Sequence, residues 1–190
     1  MRILVATDGT LPVDATVRYL QRVWEPGDDV IVLTAINLPR QFLKQLASMG
    51  GGEGVSAIAD VVDAAGSGMT GLGGGDRVAE RLAPRESSAA LDEVLERYYR
   101  RMADQNTKPL VDALQAVDIP AKPLIREARD RTAATIIEVC RERRCDLIIV
   151  GSTGRGRFEG RLGSTSTKLV RGAPADVLLV RVDPRKRTGE

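Results

Sequence analysis

Four short runs of consecutive, mostly apolar residues constrain the fold more than any other feature of this sequence. They are Ile3–Ala6, Val30–Ile36, Asp146–Val150 and Val177–Val180. A half-buried strand alternates apolar and polar side chains, whereas a strand covered on both faces is apolar almost throughout. The four runs therefore predict buried strands of a parallel sheet with helices packed on both of its faces.

The first half of the chain adds two predicted helices. After a break at Asp8-Gly9-Thr10, apolar residues recur at helical spacing from Val13 to Trp24. A second amphipathic helix is predicted from Ser87, and Pro109 is expected to kink it or divide it in two because proline lacks the backbone donor. The first strand, the first helix and the second strand form one strand–helix–strand unit, which favours parallel pairing.

The second half supplies the remaining elements. Lys122–Glu127 is predicted to be a short third strand at an edge of the sheet. Thr132 is predicted to be the N-cap of a third helix, and Gly163-Ser164 to begin a fourth, which Ala173-Pro174-Ala175 ends. Helices and strands thus alternate along the chain, as in α/β proteins.

The stretch from about residue 40 to residue 85 has a different composition. It is rich in glycine between Gly50 and Gly75 and has little periodicity. Such sequence buries too little apolar surface to form a core of its own. We interpret residues 1–190 as one domain with an inserted, mobile segment at about 40–85.

Composition and charge exclude several classes of function. Apolar residues make up 43% and charged residues 28% of the chain, as in ordinary globular proteins. We expect no membrane span, because no apolar run approaches about 18 residues. Residues 151–190 hold nine Lys or Arg against four Asp or Glu, whereas the whole chain has a net charge of +2. This local excess, with only 3% aromatic residues, favours an anion site over a nucleic-acid surface.

The cysteines and the chain start bear on localisation. Cys140 and Cys145 are too isolated for a zinc site and are interpreted as ordinary buried thiols of a reducing compartment. The first strand begins almost at Met1, which leaves no room for a signal peptide. We therefore expect a cytoplasmic protein.

A glycine motif after the fourth strand points to a phosphate site. Gly151 and Gly154 let a ligand approach the backbone closely, and Gly163-Ser164-Thr165 opens a helix whose first N–H groups attract anions. The alternative is that the glycines merely form turns and that Ser164 is an N-cap. No Walker P-loop and no dinucleotide-binding Gly-x-Gly-x-x-Gly is present. The absence of histidine excludes histidine-based catalysis and disfavours an enzyme with its own substrate.

These motifs resemble the universal stress protein family. The resemblance rests on Asp8-Gly9-Thr10, on residues 146–154, on Gly163-Ser164 and on residues 173–181. It implies an adenine nucleotide alpha hydrolase-like fold, a three-layer sandwich. Together with the strand pattern, it predicts a doubly wound, five-stranded parallel sheet of order 3-2-1-4-5.

The resemblance also implies a nucleotide site. The ATP-binding branch has the pattern Gly-x2-Gly-x9-Gly-[Ser/Thr], whose backbone and hydroxyl groups hold the phosphates. Asp8, next to Thr7, is expected near the ribose or as a ligand of a phosphate-bound Mg²⁺, with helix capping as its alternative role. The main chain at Ala35 is expected to bind adenine. The implied nucleotide-binding residues are Thr7, Asp8, Ala35, Gly151, Gly154, Gly163, Ser164 and Thr165.

The predicted function is that of an ATP-binding, stress-response regulatory protein with little or no catalytic turnover. The alternative is a nucleotide-free, dimeric interaction module of the same family. Residues 155–162 number eight where the pattern has nine, which keeps this alternative open. We also expect a homodimer joined through Val177–Val182, because this predicted edge strand lacks the charges and prolines that normally prevent pairing. Its alternative is an edge covered by the inserted segment or by the C-terminal tail.

Overall fold

The computed structural model describes residues 1–37, 86–128, 131–153 and 162–181, with the backbone alone for residues 86–95. Helices and strands alternate along these ranges. In chain order they are β1 (Arg2–Ala6), α1 (Val13–Val23), β2 (Asp29–Ile36), α2 (Glu86–Gln115), β3 (Ala121–Glu127), α3 (Thr132–Arg143), β4 (Leu147–Gly151), α4 (Ser164–Gly172) and β5 (Asp176–Val180). The strands, α1, α3, α4 and the part of α2 from Ala103 onward belong to one compact unit; residues 86–102 belong to another.

The five strands form one parallel sheet. Their order is β3-β2-β1-β4-β5, and every neighbouring pair is parallel. The predicted fold class and strand order are therefore confirmed. The connections run outward in one direction from β1 to β3 and in the other from β4 to β5. The direction changes between β1 and β4, and open α/β sheets bind their ligands at the carboxyl ends of the strands at such a point.

Each face of the sheet carries its own hydrophobic core. Alternate residues of the central strands point to opposite faces, so both sets are apolar. One core joins the sheet to α1 and α2 and includes Ile3, Val5, Val30, Val32, Leu20, Leu110 and Leu114. The other joins it to α3 and α4 and includes Leu4, Ala6, Ile31, Leu33, Ile136 and Leu169. These two layers of helices explain why the strands are apolar throughout.

One prediction about the helices is wrong, and one of the two alternatives predicted for Pro109 is excluded. Pro109 does not divide α2, which runs without a break through this residue. Proline removes one helical hydrogen bond, and the burial of Leu110 and Leu114 in the core favours continuation of the helix. Thr132 is not the N-cap of α3 but its first residue, since Arg131 takes the cap position. The Thr132 hydroxyl instead accepts a hydrogen bond from Asn37 Nδ2 at 3.2 Å.

The cysteines are ordinary buried thiols, as predicted. Both are unpaired and buried, and Cys140 Sγ donates a hydrogen bond to the carbonyl of Cys145 at 3.8 Å. Burial raises the pKa of Cys145 to about 12. None of the helices in the described ranges has the length and apolar character needed to cross a membrane. The segment predicted to be mobile, at about 40–85, lies outside the described residues.

Candidate functional site

The carboxyl ends of β1, β2 and β4 meet at one edge of the sheet. Ala6, the last residue of β1, pairs with Leu33 on one side and with Val150 on the other. The following residues, Thr7, Thr34 and Gly151, therefore lie side by side at the point where the strand connections change direction. The Thr7 N–H extends the pairing by donating to the Leu33 carbonyl at 2.9 Å.

Asp8 lies in a tight turn, Thr7–Thr10, that we call the Asp8 turn. The Gly9 N–H donates to Thr7 Oγ1 at 3.0 Å. Asp8 Oδ1 accepts from both the N–H and the hydroxyl of Thr10, at 3.1 and 2.5 Å. Gly9 has a φ of 85°, a left-handed conformation that favours glycine. These bonds hold the Asp8 carboxylate at the carboxyl end of β1.

Helix capping does not explain Asp8. Helix α1 begins at Val13, and its N-cap is Pro12, four residues beyond Asp8. The Asp8 carboxylate is engaged within its own turn rather than at a helix start. The capping interpretation is therefore wrong.

The start of α4 is fixed against the end of β4. The Ser166 side chain is buried, and its hydroxyl donates to the Gly151 carbonyl at 2.7 Å. The Gly163 N–H donates to the Ser152 carbonyl at 2.8 Å, while the Ser152 N–H donates to the Val180 carbonyl at 2.8 Å. The chain that leaves β4 at Gly151 thus returns to the same place to begin the helix.

The first turn of α4 presents backbone donors at this edge. Gly163 is the N-cap, and no side chain caps the helix, so the interpretation of Ser164 as an N-cap is wrong. The first helical bond runs from the Thr167 N–H to the Gly163 carbonyl at 2.9 Å. The N–H groups of the three preceding residues have no acceptor within the helix, and the helix dipole makes this end attractive to anions. The first turn contains no acidic residue to occupy them.

Ala35 lies where β2 extends beyond β1. The Leu33 carbonyl points toward β1, where it accepts from Thr7. Residues two apart in a strand direct their backbone groups to the same side. The backbone groups of Ala35 therefore also face the β1 side, at a level that β1 does not reach. This orientation suits a base bound through the main chain.

The described structure thus brings most of the predicted site residues to one edge of the sheet. Its members there are Thr7, Asp8, Ala35, Gly151, Gly163, Ser164 and Thr165. Gly154 lies outside the described residues. Two polar residues of this region were not predicted, Ser166 and Asn106. A sequence signal existed only for Asn106, which lies three and four residues from the buried Ala103 and Leu110 on an amphipathic helix.

The residues present fit a magnesium ion held jointly with phosphates. In the described part of the chain, no three Cys, Asp or Glu side chains lie close enough together to hold a metal ion by themselves. Mg²⁺ is commonly bound through one or two carboxylates together with substrate phosphates and water. Asp8 would be the carboxylate, beside a helix start suited to the phosphates.

Fold and site together define an α/β protein with an open parallel sheet, whose carboxyl edge carries a carboxylate and the start of a helix. The chain belongs to the universal stress protein family, whose model matches residues 1–181. The sheet is that of the adenine nucleotide alpha hydrolase-like fold, as predicted. No curated protein matches the chain.

Solved structures with the same fold are distant in sequence. Hypothetical protein MJ0577 is 15% identical, with 96% of each chain covered and a TM-score of 0.54. Hypothetical protein PH0823 is 18% identical, with 97% of this chain and 98% of the other covered and a TM-score of 0.51. A universal stress protein family protein from Arabidopsis thaliana, solved with AMP bound, is 11% identical. That comparison covers all of this chain and 97% of the other, with a TM-score of 0.52.

Proposed function

We propose that this protein binds ATP with Mg²⁺ at the carboxyl edge of its sheet and acts as a cytoplasmic stress-response regulator. The observation that carries the proposal is the juxtaposition of the Asp8 turn and the α4 start on either side of the β1–β4 junction. One supplies a carboxylate and the other supplies backbone donors. Membership of the universal stress protein family supports the same ligand class.

Each part of the nucleotide has a place in this arrangement. The N–H groups and hydroxyls of Ser164 and Thr165 bind phosphate oxygens, because the helix start concentrates donors and positive potential. Asp8 binds the phosphate-bound Mg²⁺ or the ribose. The main chain of Ala35 binds adenine beyond the end of β1. The fold neighbour from Arabidopsis thaliana was solved with AMP, which has the same base and sugar.

We expect the protein to regulate rather than to catalyse. The chain has no histidine, so only Asp8 or a metal-bound water could assist phosphoryl transfer. We expect turnover far below the roughly 1–100 per second of protein kinases. A steady-state assay showing several turnovers per second, abolished by a substitution at Asp8, would contradict this expectation.

Calorimetric titration with ATP and Mg²⁺ tests the binding proposal. The wild-type protein should bind with micromolar affinity. Gly154→Val should block the site, because it adds a side chain to the glycine motif that is proposed to hold the phosphates. The control is Gly172→Ala at the far end of α4, where an added β-carbon meets only Ile137 Cδ1 at an ordinary 3.8 Å. Absence of binding by the folded wild-type protein would favour the nucleotide-free, dimeric module.

The proposal includes a homodimer formed through β5. The two edges of the sheet differ in this respect. The edge strand β3 contains a proline and three charged residues, Lys122, Pro123, Arg126 and Glu127. The opposite edge strand, β5, is apolar from Val177 to Val180. Unpaired strand edges without such interruptions tend to pair with another chain, and a two-fold axis would close the pairing. Val182, the end of the predicted interface, lies outside the described residues.

Light scattering tests the dimer. The wild-type protein should have a mass of about 41 kDa, twice the 20.5 kDa of the chain. Leu179→Lys in β5 should give a monomer, whereas Leu124→Lys in β3 should not. Both leucines pack partly against the same core, so the two substitutions should lower the free energy of unfolding by similar amounts. A wild-type protein that is monomeric at tens of micromolar would contradict the proposed dimer.

A further inference from the structure

Asn106 of α2 reaches the turn that carries Asp8. Its Nδ2 donates to Thr34 Oγ1 at 3.0 Å, across 72 residues of sequence. Its Oδ1 lies against Gly9, where a β-carbon would come within 2.7 Å of this atom. Asn106 thus joins the end of β2 to the Asp8 turn at the end of β1.

The contact is held firmly on both sides. Thr34 is buried, with 1% of its surface exposed, and it lies one residue beyond the partner of Ala6. On the helix, Asn106 precedes the buried Thr107, whose hydroxyl donates to the Ala103 carbonyl at 2.8 Å. The Asn106 side chain is thus held by a hydrogen bond to the sheet, on a part of the helix that faces the core.

Gly9 makes this close approach possible. It is the residue between Asp8 and Thr10, and its positive φ shapes the turn. The Cα of Asn106 would lie only 3.6 Å from a β-carbon at position 9. The helix backbone is thus in ordinary van der Waals contact with that position, and a side chain there would displace the Asn106 amide.

We propose that Asn106 is a positioning residue of the nucleotide site, which fixes the Asp8 turn in the conformation that presents the Asp8 carboxylate to the ligand. This rests on the proposed function. Asn106 acts through the turn and not by touching the nucleotide. Its amide restricts the motion of Gly9, and Gly9 in turn sets the direction of the Asp8 side chain.

The first test needs no nucleotide. Hydrogen exchange measured by NMR should show the Gly9 and Thr10 N–H groups, which bond within the turn, exchanging about tenfold faster in Asn106→Ala. Thr107→Val is the matched control, because it removes a hydroxyl bond on the next residue of the same helix without touching the turn. Thr34→Val should give a smaller effect, since it removes only the partner of Nδ2. Unchanged exchange in a folded Asn106→Ala variant would overturn the proposal.

The second test measures affinity for ATP with Mg²⁺. Asn106→Ala should bind about five- to tenfold more weakly, as expected for the loss of one hydrogen bond that orders the site. Thr107→Val should bind as the wild type does. A weaker affinity with unchanged hydrogen exchange would mean that Asn106 contacts the ligand directly, and this outcome would also overturn the proposal.

A double-mutant cycle tests whether the effect passes through Gly9. Gly9→Ala should weaken binding in the wild type, because its β-carbon meets Asn106. In the Asn106→Ala background the same substitution should weaken it less, since that contact is gone. Fully additive effects would contradict coupling through the turn. If the wild-type protein binds no ATP, the proposed function fails, and the hydrogen-exchange result alone decides whether Asn106 fixes the turn.

Discussion

The two ends of the sheet use polar residues in opposite ways. At the amino end, charged groups are paired with one another: the Met1 amino group with Asp28, and Lys122 with Asp29. At the carboxyl end, the proposed site consists of hydroxyls, glycine backbone, one carboxylate and the Asn106 amide, held in place by hydrogen bonds. The charged groups of the amino end are paired with one another. The carboxyl end instead presents backbone donors that have no acceptor within their helix.

Several bonds at the amino end join strands to each other. The Arg2 N–H donates to Asp146 Oδ2 at 2.7 Å, and the Asp146 N–H donates to the Arg2 carbonyl at 2.9 Å. The Arg2 guanidinium donates to the Arg143 carbonyl at 3.0 Å. These contacts fix β1, β4 and the end of α3 to one another.

A pocket of about 440 Å³ lies at this amino end, lined by Met1, Arg2, Gly27, Asp29, Arg144 and Asp146. Its Arg2 N–H and Asp146 carboxylate bond to each other, and Asp29 pairs with Lys122. We therefore assign it a structural role despite its size. The comparison teaches that oriented backbone donors, rather than the volume of a cavity, distinguish the end of the sheet at which we propose the ligand site.

The largest effect is expected from Ser164→Pro. Proline suits the first position of a helix, and the preceding Gly163 has an extended ψ of 155° that proline tolerates. The substitution removes one N–H and one hydroxyl from the proposed phosphate site while the helix stays intact. ATP affinity measured by calorimetry should fall about tenfold or more. Ser164→Ala, which keeps the N–H, should cost less, and equal effects would show that the backbone donor is not used.

Ser166→Ala tests whether the hydrogen bond between α4 and the end of β4 also stabilises the fold. The substitution leaves the half-buried Gly151 carbonyl without its hydroxyl donor, so the free energy of unfolding should fall by about 1–2 kcal/mol. Urea denaturation measures this change. The exposed Ser164, replaced by alanine in the same helix, should leave stability nearly unchanged. A Ser166→Ala variant as stable as the wild type would mean that this bond does not fix the helix start.

Asp146→Ala tests the opposite end. Loss of the bond to the Arg2 N–H should lower the free energy of unfolding by about 1 kcal/mol. The affinity for ATP should not change, because the affected bond lies at the amino end of the sheet. If the affinity for ATP also fell, the two ends of the sheet would not differ in function as proposed.

The smallest expected effect is on the pH dependence of stability, and it comes from the ion pair between the Met1 amino group and Asp28. The hydrogen bond with Asp28 raises the pKa of the Met1 amino group above 8.0, and the same bond lowers the pKa of Asp28 below 3.8. The stabilisation is therefore complete between these two values. It is lost as the pH rises through the raised pKa or falls through the lowered one. The difference in Tm between wild type and Asp28→Asn should be largest inside this window, and a difference independent of pH would exclude the pair as its cause.

The pattern of the strands could be predicted from the sequence because it is local. A strand buried on both faces needs apolar side chains at successive positions, and such runs mark β1, β2, β4 and β5 directly. The glycine motif likewise identified Gly163 and Ser164, because a helix start is recognisable from neighbouring residues. Local signals failed at Pro109 and Thr132. A core contact sustains the helix at Pro109, and Thr132 meets Asn37, which is distant in sequence.

The sequence by itself determined which residues form most of the strands, that the sheet is parallel, and at which edge we propose the ligand site. Only the tertiary structure decided which residues hold that edge in place. Asn106 meets Thr34 and Gly9, and Ser166 meets Gly151, through the packing of helices on the sheet. The helical spacing of Asn106 indicates that it faces the core, but no local pattern identifies the partners of either residue, because a hydrogen bond depends on the distance between atoms in space and not on their separation along the chain.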